Sequence, residues 1–301
     1  MLVSKTFAAG CIVVSTLAAG CASGAQMHSQ ETIAEFQDER ANPYSFNRSL
    51  AHTLLRTDQP LEASRVVRRL LQLRPEDPEA HSLLGRAYMD LGQEELARRA
   101  LKNSLEHDPD YAPAHALMGV LLDSQRQHKQ AQQAHRRAVE LAPSEADYHN
   151  NLGFSLYLDK RYRAAIRAYQ ESLSIDIAQA RVHNNLAFAY AKLGDLGKAE
   201  EHFALAGPAA QVSNNLGYVY ECRDDLERAY EYYYLALRQD PRLVPARNNL
   251  QRICAQLNRT VPNVPIPEVK NDPQPPAVGA LSQAAAPAAP TQATATTSET
   301  P

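Results

Sequence analysis

The segment Asn151-Leu152-Gly153-Phe154-Ser155-Leu156-Tyr157 carries a pattern that recurs along this chain. An apolar residue followed by glycine or alanine returns every 34 residues, at Leu84-Gly85, Met118-Gly119, Leu152-Gly153 and Leu186-Ala187. An aromatic residue or leucine lies three positions after each of these small residues. An alanine lies twelve positions after them, at Ala97, Ala131, Ala165 and Ala199. Such regular self-similarity indicates stacked helical hairpins, none of which can bury its apolar face alone.

The full pattern is apolar-x-x-Leu-Gly-x-x-Tyr, then Ala-x-x-x-aromatic and then Pro, and it resembles the tetratricopeptide repeat. With Gly85 at repeat position 8, Leu101 takes position 24 and Pro109 position 32. The same frame predicts repeats at 44–77, 78–111, 112–145, 146–179, 180–209 and 210–243, followed by a capping helix at 244–258. We therefore expect an all-α, right-handed tetratricopeptide-repeat solenoid of about six helical hairpins plus the cap.

Two repeats depart from the pattern. The fourth has Ile177 where proline belongs, so its second helix is expected to run on or to end differently. The fifth is short, because Gly207-Pro208 interrupts its second helix early.

The N-terminal region has the features of an export signal. Lys5 precedes an apolar run over 6–19 that is too short for a membrane span. The run ends in Leu17-Ala18-Ala19-Gly20-Cys21, which resembles a bacterial lipobox. The resemblance implies a lipoprotein signal peptide over 1–20, lipidation at Cys21 and, since Ala22 follows, an outer-membrane anchor on the periplasmic face. An ordinary cleaved signal with an incidental cysteine is the alternative.

The segments on either side of the repeats are predicted to be unstructured. Residues 259–301 are rich in Pro, Ala and Thr and contain no aromatic residue, so they cannot bury enough surface to offset their ordering entropy. We expect a disordered tail there and a flexible tether over 21–43.

Composition and motifs disfavour several classes of function. With a formal net charge of −3 and mixed signs, the chain has no positive electrostatic potential that would attract nucleic acid. No phosphate-binding glycine loop, zinc-ligand motif or nucleophile elbow is present, so we expect neither an enzyme nor a cofactor. The histidines at position 4, which are His81, His115, His149 and His183, are too far apart to share a metal and are interpreted as structural. Cys222 and Cys254 could form a disulfide or remain free.

The later repeats carry the candidate binding residues. In tetratricopeptide proteins, positions 2, 5, 9, 12 and 13 usually line the concave surface. Here position 5 is asparagine four times running, and aromatic residues follow it; the predicted peptide-binding groove residues are Asn150, Phe154, Tyr157, Asn184, Phe188, Asn214, Tyr218 and Asn248. A side-chain amide offers both a donor and an acceptor to a peptide backbone. The alternative is that these asparagines serve the fold alone.

The lipobox, the run Arg181-Val182-His183-Asn184-Asn185-Leu186-Ala187 and the short fifth repeat together resemble the tight-adherence (Flp) pilus assembly lipoproteins of the TadD type. That resemblance implies a lipid-anchored scaffold that binds a secretin or other pilus assembly component. Two alternatives remain: an envelope adaptor for peptidoglycan hydrolases or proteases, and a structural tether between the outer membrane and the wall.

Overall fold

The computed structural model describes residues 42–265, and within that range the chain forms thirteen α-helices and no strand. The first helices of six consecutive hairpins are α1 (Pro43–Arg56), α3 (Pro78–Asp90), α5 (Ala112–Ser124), α7 (Ala146–Leu158), α9 (Ala180–Lys192) and α11 (Ala209–Glu221). Their second helices are α2 (Pro60–Leu73), α4 (Glu94–His107), α6 (His128–Leu141), α8 (Tyr162–Ile175), α10 (Leu196–Ala206) and α12 (Leu226–Gln239), and α13 (Val244–Gln256) follows alone. The predicted architecture of six hairpins and a cap is confirmed. The signal peptide, Cys21, all but the end of the tether, and the tail beyond 265 lie outside the described residues.

Every hairpin turns through one residue in the left-handed backbone region. This residue takes repeat position 15 and has φ between 52° and 87°; the set is Asp58, Gly92, Arg126, Lys160, Gly194, Asp224 and Asn258. In each turn, the next residue donates its N–H to the carbonyl five residues earlier, at 2.8 to 3.1 Å. This bond caps the first helix as in a Schellman motif. Helix α13 is followed by the same turn, at Asn258, so the cap resembles the first helix of a seventh hairpin.

The two helices of a hairpin approach closely at the glycine of position 8. A Cβ atom on Gly153 would lie 2.7 Å from the ring of Tyr169, and one on Gly217 would lie 2.6 Å from the ring of Tyr233. Both rings are fully buried. In these two repeats the glycine therefore makes room for the bulky side chain at position 24. The fifth hairpin uses Ala187 instead.

The recurring histidines anchor the start of the first helices. The Nε2 atoms of His81, His115, His149 and His183 each donate to a carbonyl six residues earlier, at 2.8 to 3.0 Å. The acceptors are the carbonyls of Pro75, Pro109, Pro143 and Ile177. In α13, Arg247 makes the equivalent bond to Pro241 at 2.7 Å. The structural interpretation of these histidines is confirmed.

The fourth repeat does not depart as expected. Helix α8 has 14 residues, like α2, α4, α6 and α12, even though Ile177 replaces the usual proline. Asp176 follows the last residue of the helix, and its carboxylate accepts the N–H of Ala178 at 3.1 Å. Asp108 and Asp240 make the same local turn. The expected shortening of the fifth repeat is confirmed, since α10 has 11 residues.

The chain continues past the cap over 259–265 and packs against it. Val264 is 8 % exposed and belongs to the same apolar cluster as Leu250 and Cys254. Arg259 donates to the Glu227 carboxylate at 2.6 and 3.0 Å. Prolines at 262 and 265 cannot supply helical N–H donors, so a second helix does not form here. The start of the predicted tail therefore covers the end of the solenoid.

Among residues 42–265, none of the helices is both long enough and apolar enough to cross a membrane.

Candidate peptide-binding groove

The residues predicted to line the groove lie on α7, α9, α11 and α13, but they differ in accessibility. Asn150 is only 3 % exposed, whereas Asn184 and Asn214 are half-buried and Asn248 is exposed. The aromatic residues Phe154, Tyr157, Phe188 and Tyr218 are all half-buried. The structure thus leaves Asn184, Asn214 and Asn248 accessible to a ligand, and it encloses Asn150.

The asparagines form hydrogen bonds from one repeat to the next. Nδ2 of Asn185 donates to Oδ1 of Asn150 at 3.0 Å, and Nδ2 of Asn215 donates to Oδ1 of Asn184 at 2.8 Å. Asn249 donates in the same way to Asn214 at 3.0 Å. We call these six residues the amide chain. Consecutive side chains on a helix diverge by about 100°, so one asparagine of each pair reaches back to the preceding repeat while the other accepts from the next.

This pairing gives the groove a defined polarity. The position-5 oxygens of Asn184 and Asn214 are already acceptors within the amide chain. A carboxamide also carries two N–H donors. The Nδ2 atom of Asn214 makes one long contact within the chain, to Asn215 at 3.5 Å. The accessible amides therefore offer N–H donors to a ligand, and their partners on the ligand would be carbonyl oxygens.

Aromatic rings continue across two repeats beside these amides. Phe188 packs edge-on against Phe203 at 4.9 Å and against Tyr218 at 5.9 Å between ring centroids. Tyr157 contacts Tyr162 at 5.4 Å. Burial, reinforced by a hydrogen bond with Cys222, raises the pKa of Tyr218 to about 12. The phenol is thus neutral and can act as a hydrogen-bond donor or acceptor.

Polar groups at position 12 meet the side chain at position 24 beneath the groove. The hydroxyl of Tyr233 donates to Glu221 at 2.6 Å, and Nε2 of His135 lies 3.3 Å from Asp123. In the fourth repeat, Tyr157 occupies position 12, and the buried hydroxyl of Tyr169 has no hydrogen-bond partner among the described residues. Sequence reasoning missed this hydroxyl. The sequence did contain a signal for it: this repeat has tyrosine at position 24 but no acidic residue at position 12 to accept its hydroxyl.

A second polar contact that sequence reasoning missed joins α11 to α13. Nε and one terminal nitrogen of Arg252 donate to the Glu221 carboxylate at 3.0 and 2.7 Å. The hydrogen bond to Glu221 and the surrounding charges raise the pKa of Arg252. The two charges therefore neutralise each other.

The first helices of the early repeats carry charges that pair with one another. His52 lies 2.9 Å and Arg48 lies 3.5 Å from Glu79, and Arg86 lies 3.3 Å from Asp90. Burial raises the pKa of Asp90. Positive and negative side chains thus alternate on these helices, in keeping with the mixed composition.

The cysteines are not bonded to each other. Cys222 is exposed and Cys254 is buried, and both are free thiols. Among the described residues, no group of three or more histidine, cysteine or acidic side chains is arranged to hold a metal ion.

Comparison with known proteins assigns the fold. Tetratricopeptide-repeat family models match residues 54–103, 116–180 and 180–204. The fold is a tetratricopeptide-repeat solenoid. No curated protein sequence matches the chain significantly.

Several solved structures are similar to this chain in fold. The Pseudomonas aeruginosa protein PilF is 21 % identical, with a TM-score of 0.57 over 72 % of this chain and 99 % of PilF. PilW, a type IV pilus biogenesis factor, is 17 % identical, with a TM-score of 0.60 over 70 % of this chain and 98 % of PilW. A chain of the Cut9–Hcn1 hetero-tetramer of the APC/C is 18 % identical, with a TM-score of 0.59 over 74 % of this chain and 45 % of that one. At these identities the likeness concerns the fold.

Proposed function

We propose that this solenoid is a non-catalytic scaffold of the bacterial envelope, held at the outer membrane by a lipid on Cys21. Its groove binds an extended segment of a partner protein during assembly of a pilus or secretion apparatus. The observation that carries this proposal is the amide chain, whose accessible N–H donors lie on the same helices as the packed rings of Phe188 and Tyr218.

Backbone recognition follows from the chemistry of these groups. Side-chain amides that donate to peptide carbonyls recognise the backbone and are tolerant of sequence, and aromatic rings supply apolar contact area. Such a groove suits a scaffold that must hold a partner while the partner is still being assembled.

Support for the cellular role comes from the sequence. The lipobox supports the lipid anchor and the periplasmic location, and the resemblance to the tight-adherence lipoprotein TadD supports a secretin or pilus component as partner. PilW, which shares the fold, is itself described as a type IV pilus biogenesis factor.

The experiment is photo-cross-linking of the full chain in its native cells. A photoreactive phenylalanine analogue replaces Phe154 in the groove, and in a matched strain it replaces Leu235, an exposed residue on the second helix α12. We expect a pilus or secretin component to be captured from the groove position alone. Capture of peptidoglycan hydrolases or proteases would overturn the assembly role, and equal capture from both positions would overturn the groove.

A substitution that keeps the fold separates binding from stability. In Asn184→Asp and Asn214→Asp, the side-chain oxygen still accepts from the next repeat while the N–H donors are lost. Removing two such hydrogen bonds should weaken partner affinity roughly 5- to 150-fold, from about 1–3 kcal/mol. Asn103→Asp, on the exposed face of α4, makes the same chemical change outside the groove and should leave capture unchanged.

A further inference from the structure

The amide chain favours one backbone geometry in its ligand. Neighbouring first helices pack at about 8–10 Å, so equivalent donors recur at about that spacing. A polyproline II segment rises about 3.1 Å per residue and has three residues per turn, so a carbonyl returns to the same side after about 9.3 Å. A β-strand repeats after about 6.6 Å and does not match this spacing.

The polarity of the groove favours the same geometry. Polyproline II has no internal hydrogen bonds, so its carbonyls are free to accept. Proline has no backbone N–H and therefore needs no acceptor. The oxygens of Asn184 and Asn214 each already accept one hydrogen bond within the amide chain, and a proline segment would not compete for them. Aromatic-lined grooves are a recurring docking surface for such segments.

The sequence of the chain contains a proline-rich segment beyond the described residues. Pro273-Gln274-Pro275-Pro276 follows the segment at 259–265 that packs on α13, and α13 carries Asn249 at the end of the amide chain. Seven residues lie between Pro265 and Pro273. The eight steps from one proline to the other can span up to about 25 Å, whereas a helix with its side chains is about 10–12 Å across. The linker is therefore long enough to pass around α13.

The electrostatics of the groove and of the proline segment are compatible, because neither brings an unpaired charge to the contact. Residues 273–298 contain no charged side chain. The charges on Glu221 and Arg252, which join α11 to α13, are paired with each other. An uncharged proline segment would leave that pair intact.

We propose that residues 273–276 of this chain dock in polyproline II conformation against Asn184 and Asn214 and the rings of Phe188 and Tyr218. The chain then occupies its own groove until a partner displaces it. This inference rests on the proposed function, because it concerns the same groove.

Disulfide trapping in the full chain tests the proposal, since Cys222 is an exposed thiol beside Tyr218. Gln274→Cys places a second thiol in the docking segment, and Ser298→Cys places one at a distance from it. Under mild oxidation, with peptide mapping of the product, we expect Gln274→Cys to bond to Cys222 within one chain at least about tenfold faster than Ser298→Cys, because docking raises the effective concentration. Adding Pro275→Ala and Pro276→Ala should remove most of that difference. Equal rates for the two thiols would overturn the proposal, and so would a bond found only between two chains.

Partner capture distinguishes failure of this inference from failure of the proposed function. If the tail blocks the groove, Pro275→Ala with Pro276→Ala should increase cross-linking of the partner from position 154 severalfold. Partner capture without intramolecular trapping would overturn self-docking and leave the scaffold function standing. If the disulfide forms within the chain but no partner is captured, either with the prolines intact or after Pro275→Ala with Pro276→Ala, the scaffold function would be overturned instead.

Discussion

Replacing Gly153 with alanine tests whether the hairpins depend on close helix approach. The added Cβ would lie 2.7 Å from two ring carbons of Tyr169, which is fully buried and cannot move into solvent. Overpacking of this kind costs about 1–3 kcal/mol. Alanine regains up to about 1 kcal/mol of helix propensity over glycine. With the full gain subtracted, we expect Gly153→Ala to lower the free energy of unfolding by up to about 2 kcal/mol.

Gly197 provides a control with the same chemical change. It lies in α10, and a Cβ there would have only one neighbouring atom, at 4.0 Å. Gly197→Ala should therefore stabilise the protein by up to about 1 kcal/mol, through propensity alone. The two variants are predicted to shift stability in opposite directions.

The assay is urea unfolding of the full chain, followed by circular dichroism at a helix wavelength. Repeat solenoids can unfold in stages, so hydrogen exchange over α7 and α8 should show whether the loss is local. If Gly153→Ala shifts stability in the same direction as Gly197→Ala, the close-approach argument is refuted.

Three further predictions concern the turns, His202 and the thiols. Lys160→Gly removes an unfavourable left-handed conformation (φ 60°) and should raise the free energy of unfolding by up to about 1 kcal/mol in urea titrations. Burial and the neighbouring His183 lower the pKa of His202, so below about pH 6.5 the unfolded chain binds more protons, and stability falls as pH falls. The drop in urea midpoint between about pH 7.5 and about pH 5.5 should be smaller in His202→Phe, and an unchanged drop would contradict this. In maleimide labelling with peptide mapping, exposed Cys222 should react well before Cys254, which is buried and whose pKa is raised by that burial. Labelling of Cys254 at the same rate would show that the cap opens freely.

The repeat architecture could be predicted from the sequence because each repeat packs locally. Gly153 and Tyr169 lie within one hairpin, and the contacts of a hairpin recur at the next one. The spacing of such residues therefore predicts the hairpins, the register and the short fifth repeat. The histidine of position 4 could also be interpreted correctly, because its partner lies only six residues earlier.

The site could be predicted only in outline. The sequence indicated which first helices carry amides and aromatic rings, and the structure shows how those groups pair. The bond from Asn215 to Asn184 joins two repeats, and it determines which atoms remain for a ligand. Local pattern cannot specify that geometry, since it depends on how far each helix is displaced and rotated relative to the next.

By itself, the sequence determined the helical hairpins, their number and the small residue at each close approach, because these depend on periodicity and side-chain volume within about 34 residues. Only the tertiary structure decided that Asn150 is enclosed, that the hydroxyl of Tyr169 lacks a partner and that Val264 covers the cap. The physical reason is that burial and hydrogen bonding depend on contacts between different repeats. The repeat pattern allows several side-chain contacts there, and only the packing of the helices decides which of them form.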